Sequence, residues 1–274
     1  MRSLRFLILI LSLSLLLCGC EIDIPVMAGT QTDTNETEPQ DTPPPETEPP
    51  REVIGRVAIT YDDGPAFDND AVQRLTYKLV DEFAKYGGKA TFFVVGNRIN
   101  HETGKAMQYA DAHGFEYAIH AYTHDIYFDE CSEQDYLDEL RLTKEAIEKY
   151  IGKSPTLLRA PGGAITAARA LLGGYPVIHW SVDSEDWRHK SRADEQTAKA
   201  NIDAIVEKVL RNVEDGDIIL MHEIYENTYE ATKIILERLW EMGFEFVTVT
   251  ELFGEENLEV GKTYHSAHKK IASK

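Results

Sequence analysis

From Val53 to Val249, short apolar runs rich in β-branched residues alternate with segments of helical period. Val53–Thr60, Lys89–Val95, Phe115–His120, Thr156–Arg159, Tyr175–Val182, Asp217–Met221 and Phe244–Val249 read as strands. Ala71–Tyr86, Thr103–His113, Glu133–Ile151, Thr166–Leu172, Ala193–Asn212 and Tyr229–Met242 read as helices between them. Strands that alternate with helices pair in parallel through right-handed crossovers. About seven such units fit either a closed barrel or a doubly wound open sheet. The candidate reactive residues fall just after the C-terminal ends of at least five strands. An open sheet gathers its site at one switch point, whereas a barrel brings every strand end to one mouth. The expected fold is therefore α/β, a distorted and incomplete (β/α) barrel with about seven strands, spanning residues 51–254. Residues 255–274 carry Lys262, Lys269, Lys270 and Lys274 but show neither period, and they are expected to pack loosely or trail.

The chain ahead of this domain has a different character. Arg2 and Arg5 precede an apolar run from Phe6 to Leu17, which is short for a bilayer span but suits the core of a signal peptide. Leu17-Cys18-Gly19-Cys20 resembles the lipobox of bacterial lipoproteins, which implies a signal over residues 1–19 and a lipid on Cys20. Residues 20–50 read as an extended acidic linker, since Thr30–Pro50 holds no aromatic residue and no Lys or Arg. The expected location is extracytoplasmic, held to the membrane by the anchor only. Beyond the signal only Cys20 and Cys131 remain, so no intramolecular disulfide is expected. A formal net charge of −19 argues against nucleic acid as a partner and against a strongly anionic polymer. A monomer is expected.

Candidate chemistry lies at the strand ends. Thr60-Tyr61-Asp62-Asp63-Gly64-Pro65 closes the first strand. A plain Asp-Gly turn needs one carboxylate; two adjacent ones point in different directions, so one can bind a metal while the other serves as a base. His120-Ala121-Tyr122-Thr123-His124 follows the third strand. Asp63, His120 and His124 together offer three nitrogen and oxygen ligands and leave a coordination position open, the pattern of a catalytic zinc site. Arg159-Ala160-Pro161-Gly162-Gly163 places an arginine able to keep a buried carboxylate ionised, before glycines that permit close backbone approach. In Asp183-Ser184-Glu185-Asp186-Trp187 the tryptophan can wall a sugar ring. His222 ends the apolar strand Ile218–Met221, and beside a metal it is the natural general acid.

These five motifs, with Lys89–Gly96 between the first two, resemble in order and rough spacing the polysaccharide deacetylase family, the fourth family of carbohydrate esterases. The resemblance covers about Val53 to Phe253. It implies that Asp63, His120 and His124 hold one divalent ion, zinc in the first instance. It also implies that Asp62 is the general base and that Arg159 orients it. The Gly162 N–H would hold the oxyanion, and His222 would protonate the leaving amine with Asp186 behind it. Trp187 and Leu220 would line the pocket for the acetate methyl. Three departures stand out. Ala121 replaces a hydroxyl residue that steadies the histidine loop, which implies weaker metal binding. Gly162 replaces a residue that is often aromatic, which removes a side wall. Glu223 replaces an Asp.

The function expected is metal-dependent removal of N-acetyl groups from an acetylated amino-sugar polysaccharide, peptidoglycan first. Chito-oligosaccharides and O-acetylated xylan are alternatives within the same chemistry, and a non-catalytic glycan-binding lipoprotein is the alternative outside it.

Overall fold

The computed structural model describes residues 51–66, 74–211 and 213–268. The proposed signal, Cys20, the acidic linker and residues 269–274 lie outside them. Among the described residues no helix is long and apolar enough to cross a membrane.

The core is a twisted parallel sheet in the order β3 (Glu116–Ala121), β2 (Thr91–Val95), β1 (Gly55–Gly64), β6 (Ile218–His222), β5 (Val182–Asp183). From β3 the pairing continues through Leu158, which bridges Ile119 on one side and Val177 of β4 (Val177–Ile178) on the other. Because β4 and β5 lie on one continuous run of chain, these contacts bring the sheet back on itself. β7 (Phe244–Phe246) pairs with Gly55–Val57 at the foot of β1, and its Phe246 carbonyl accepts from Lys89 just before β2. The result is the expected distorted (β/α) barrel. Helices α1 (Leu75–Ala84), α2 (His101–Ala112), α3 (Glu133–Ile151), α4 (Ala167–Gly173), α5 (Glu195–Leu210) and α6 (Glu226–Met242) follow the strands.

Strand parity decides what faces the barrel axis. In β1, Val57, Ile59 and Tyr61 pack with Leu79 and Phe83 of α1 in the larger apolar cluster. Ala58, on the opposite face, joins Phe93, Ala118, Leu157, Ile178 and Ile218 in a smaller one. The inward column of β1 is thus Ala58, Thr60, Asp62, running from apolar floor to acidic mouth. By the same alternation β3 turns Ala118 and His120 inward, and β6 turns Ile218, Leu220 and His222 inward. Both faces of these strands are covered, as parallel strands require.

Five local expectations change. β1 runs through Gly64, four residues past the predicted end, because β6 and β2 keep pairing with it at Asp62 and Gly64. The acidic pair therefore sits in the strand and not in the loop after it. The predicted strand Thr156–Arg159 is reduced to the single bridged residue Leu158, between Pro155 and the N–H-less Pro161. The predicted strand Tyr175–Val182 splits into β4 and β5 where the carbonyls of Ile178 and His179 turn toward Arg159. Phe244–Val249 ends as a strand at Phe246, and Thr248 then caps α7 (Val249–Phe253) with a reciprocal Glu251. The segment after Gly254 also does more than trail: β8 (Thr263–Tyr264) pairs with β4, and Ser266 bridges Asp217.

Candidate active site

The barrel mouth opens into a cleft of about 360 Å³ lined by Asp62, Asp63, His120, His124, Gly162, Trp180, Asp183, Trp187, Leu220 and His222. The residues singled out at five separate strand ends converge here, except Arg159 and Asp186, which are wholly buried behind the lining.

Asp63 Oδ1 lies 3.4 Å from His120 Nε2 and 3.2 Å from His124 Nε2. It is a buried oxygen with no hydrogen-bond partner among the described residues. His120 Nδ1 stands 2.8 Å from the Arg159 carbonyl. A carbonyl only accepts, so Nδ1 carries the proton of the neutral ring, and Nε2 presents a lone pair to the Asp63 carboxylate. Lone pairs facing one another in a buried place call for a cation between them. The three ligand atoms lie within 4.8 Å of one another, and the donor set suits a divalent ion. Burial alone would raise the Asp63 carboxyl, but positive charge at the two facing histidines, which a proton on the rings supplies where an ion does not, outweighs it and holds the carboxyl well below the usual carboxylate range. His124 is raised by its contact with Asp63, against an opposing effect of burial.

Backbone conformation contributes to this aim. Asp63 and His124 are both in the left-handed region, at φ 67° and 65°. Non-glycine residues hold that conformation at a cost, and it recurs at sites where side-chain direction matters. Arg98 donates to the Asp63 carbonyl and helps fix the turn. The histidine loop is fixed by Glu139 of α3, whose Oε2 accepts from the N–H groups of Tyr122 (2.6 Å) and Thr123 (2.9 Å) and whose Oε1 accepts from Thr123 Oγ1 (2.8 Å). Ala121 is buried at the end of β3, and the loop draws its order from Glu139 without a hydroxyl at 121.

Asp62 is organised separately. Arg159 Nη1 donates to Asp62 Oδ1 at 2.7 Å and to Thr60 Oγ1 at 2.8 Å, which sequence parity places on the same inward face. Its Nε and Nη2 donate to the Ile178 and His179 carbonyls, and the guanidinium lies 4.0 Å above the Phe93 ring. A charge buried this deeply costs several kcal/mol unless it is paired and hydrogen-bonded, and here each of the three guanidinium nitrogens has an acceptor.

Across the cleft, Asp186 Oδ1 lies 2.7 Å from His222 Nδ1, while Oδ2 accepts from the His222 N–H (2.7 Å) and Thr228 Oγ1 (2.6 Å). The carboxylate fixes the ring so that Nδ1 carries a proton and Nε2 is left for the cleft. Burial works to lower the His222 pKa, but Asp186 and, at longer range, Asp62 and Asp63 prevail and push it up to about 9. Gly162 adopts φ +61°, and a side chain there would meet open space. Leu220 is nearly buried and Trp187 is half exposed, with Arg188 stacked 4.6 Å above its ring.

Several contributors were not anticipated from sequence. Trp180 lines the cleft beside Gly163. Glu139 and Thr228 lie within helices and carry no local motif, and Thr60 opens the first motif without itself having been assigned a role. Glu223 is buried, with Thr76 donating to it at 2.7 Å; burial pushes its pKa up to about 7.

Comparison with known proteins bears on the family and the fold. The family described as polysaccharide deacetylase matches residues 52–172. A peptidoglycan-N-acetylglucosamine deacetylase of Listeria monocytogenes is 33% identical over 76% of this chain and 41% of its own length. The chain thus spans about two fifths of that relative. One from Bacillus cereus with the same description is 32% identical over 72% of this chain and 87% of its own. Among solved structures, a family 4 acetyl xylan esterase from Clostridium thermocellum, in complex with a cobalt ion, superposes with a TM-score of 0.63. It is 29% identical, and the match covers 77% of this chain and 98% of that one.

Proposed function

Because this chain belongs to the polysaccharide deacetylase family, we propose that it is a metal-dependent hydrolase that removes N-acetyl groups from the amino sugars of peptidoglycan. The observation that carries the reading is the pairing, across one cleft, of an Asp63 oxygen unpartnered among the described residues and facing two histidines with an Asp–His dyad. The names of the Listeria and Bacillus relatives favour peptidoglycan over xylan or chito-oligosaccharides.

Asp63, His120 and His124 would hold the ion, and two imidazole nitrogens with one carboxylate favour zinc. When bound, such an ion polarises the acetamide carbonyl and acidifies water. Asp62, held in place by Arg159, receives the proton of the attacking water. The Gly162 N–H donates to the carbonyl oxygen as negative charge develops there. His222 passes its Nε2 proton to the departing nitrogen, while Asp186 keeps the ring oriented. The acetyl methyl lies against Leu220 and Trp187.

A pH experiment tests the Asp–His dyad. His222 must be protonated to act as an acid, and its raised pKa keeps the charged form populated until pH passes through that value. Asp186→Asn removes the charge that raises it, so the alkaline limb of kcat/KM should move to lower pH. An unchanged limb with unchanged turnover would remove His222 from this role.

The lipobox reading adds location. Arg51, where the described chain begins, would follow a linker of about thirty residues from Cys20, placing the domain within reach of the cell wall. Cys20→Ser protein should be lost from the membrane fraction of a bacterial host. Equal membrane retention of wild type and variant would contradict the anchor.

A further inference from the structure

We infer that the C-terminal strand β8 is a positioning element for Asp62, acting through β4 and Arg159. The guanidinium of Arg159 has two backbone partners, the carbonyls of Ile178 (3.0 Å to Nε) and His179 (2.9 Å to Nη2). Both lie at the seam of the barrel, where the ladder to Leu158 stops and the ladder from Val182 to Ile219 has not begun. The carbonyls are free to turn inward because no neighbouring strand claims them. A two-residue strand at a seam has little to fix its height or tilt.

β8 supplies that support. Val177 N–H donates to the Lys262 carbonyl at 2.8 Å and His179 N–H to the Tyr264 carbonyl at 2.7 Å, so His179, and Ile178 between the two bonded residues, are held from outside. The His265 ring lies 4.7 Å from that of His179. The segment is anchored at both ends. Tyr264 packs edge-on against Phe253 (5.2 Å), and its hydroxyl donates to the Asn257 carbonyl and accepts from the Glu259 N–H. Downstream, Ala267 N–H donates to the Gly216 carbonyl at 2.7 Å and His268 Nε2 lies 2.7 Å from Asp217 Oδ1. The resulting chain of contacts runs from Tyr264 to His179, then Arg159, then Asp62; of the first three only Arg159 also meets a metal ligand, its carbonyl accepting from His120 Nδ1.

The catalytic readout rests on the proposed deacetylase activity, and an independent structural readout separates the two. Tyr264→Ala should lower kcat by roughly 10- to 10²-fold, the scale on which small misplacement of a reacting group acts, with KM and bound metal nearly unchanged. Tyr264→Phe keeps the ring packing and should retain most of kcat. His268→Ala loosens the same segment from its other end and should change kcat in the same direction. In Tyr264→Ala the amide protons of Val177 and His179 should exchange faster than in wild type. Wild-type kcat in both Tyr264→Ala and His268→Ala would overturn the inference, as would a loss confined to KM or unchanged exchange at Val177 and His179. If wild type releases no acetate from any glycan, the functional reading fails, and amide exchange still reports whether β8 braces β4.

Discussion

Asp62→Asn is expected to retain its metal and lose about 10²–10⁴-fold in turnover, the usual contribution of a positioned acid or base. The ligands Asp63, His120 and His124 are untouched by the change, and asparagine can still accept the Arg159 hydrogen bond. What it cannot do is accept the proton of water. The substitution also leaves the buried guanidinium without its counter-charge. Breaking one side of such a pair costs on the order of 3–5 kcal/mol, so the melting temperature should fall. Turnover is therefore to be expressed per folded, metal-loaded molecule. Near-wild-type turnover on that basis would remove Asp62 from proton transfer.

His120→Ala and His124→Ala are expected to abolish stoichiometric metal and reduce acetate release to background. Loss of an outer-shell partner alone typically weakens metal affinity about 10–100-fold, and loss of a ligand should exceed that. The two variants differ in their side effects. His120 is buried and bonds the Arg159 carbonyl, so its removal also leaves a cavity and an unmet acceptor. His124 is partly exposed, and its variant reports on the metal with less damage to the fold. Full metal content in both, measured by elemental analysis, would contradict the assignment.

The strand–helix alternation made the barrel legible, because parallel strands covered on both faces announce themselves as continuous apolar runs. The ligand and acid–base residues were legible because each sits at a strand end beside a local marker: an Asp-Asp-Gly, a His-rich loop, an Arg before Pro-Gly-Gly. Other contributors had no such marker. Glu139 lies in the middle of a charged helix, indistinguishable in sequence from its solvated neighbours, yet it orders the histidine loop. Thr60 and Trp180 owe their roles to strand parity and to a seam that only the closed barrel creates. The C-terminal segment looked featureless because a two-residue strand cannot show a period. Glu223 stands where the family pattern has Asp, and its longer side chain is accommodated against Gly64, where any Cβ would collide with it.

The central claim is tested most directly by acetate release. Metal-replete wild type is incubated with purified peptidoglycan, chitin oligomers and acetylated xylan, and released acetate is measured beside glycan binding. The account predicts acetate from peptidoglycan above the other two polymers, abolished by chelation and restored by zinc. Binding to a glycan with no acetate released from any of the three would contradict it and identify a glycan-binding protein built on the deacetylase barrel.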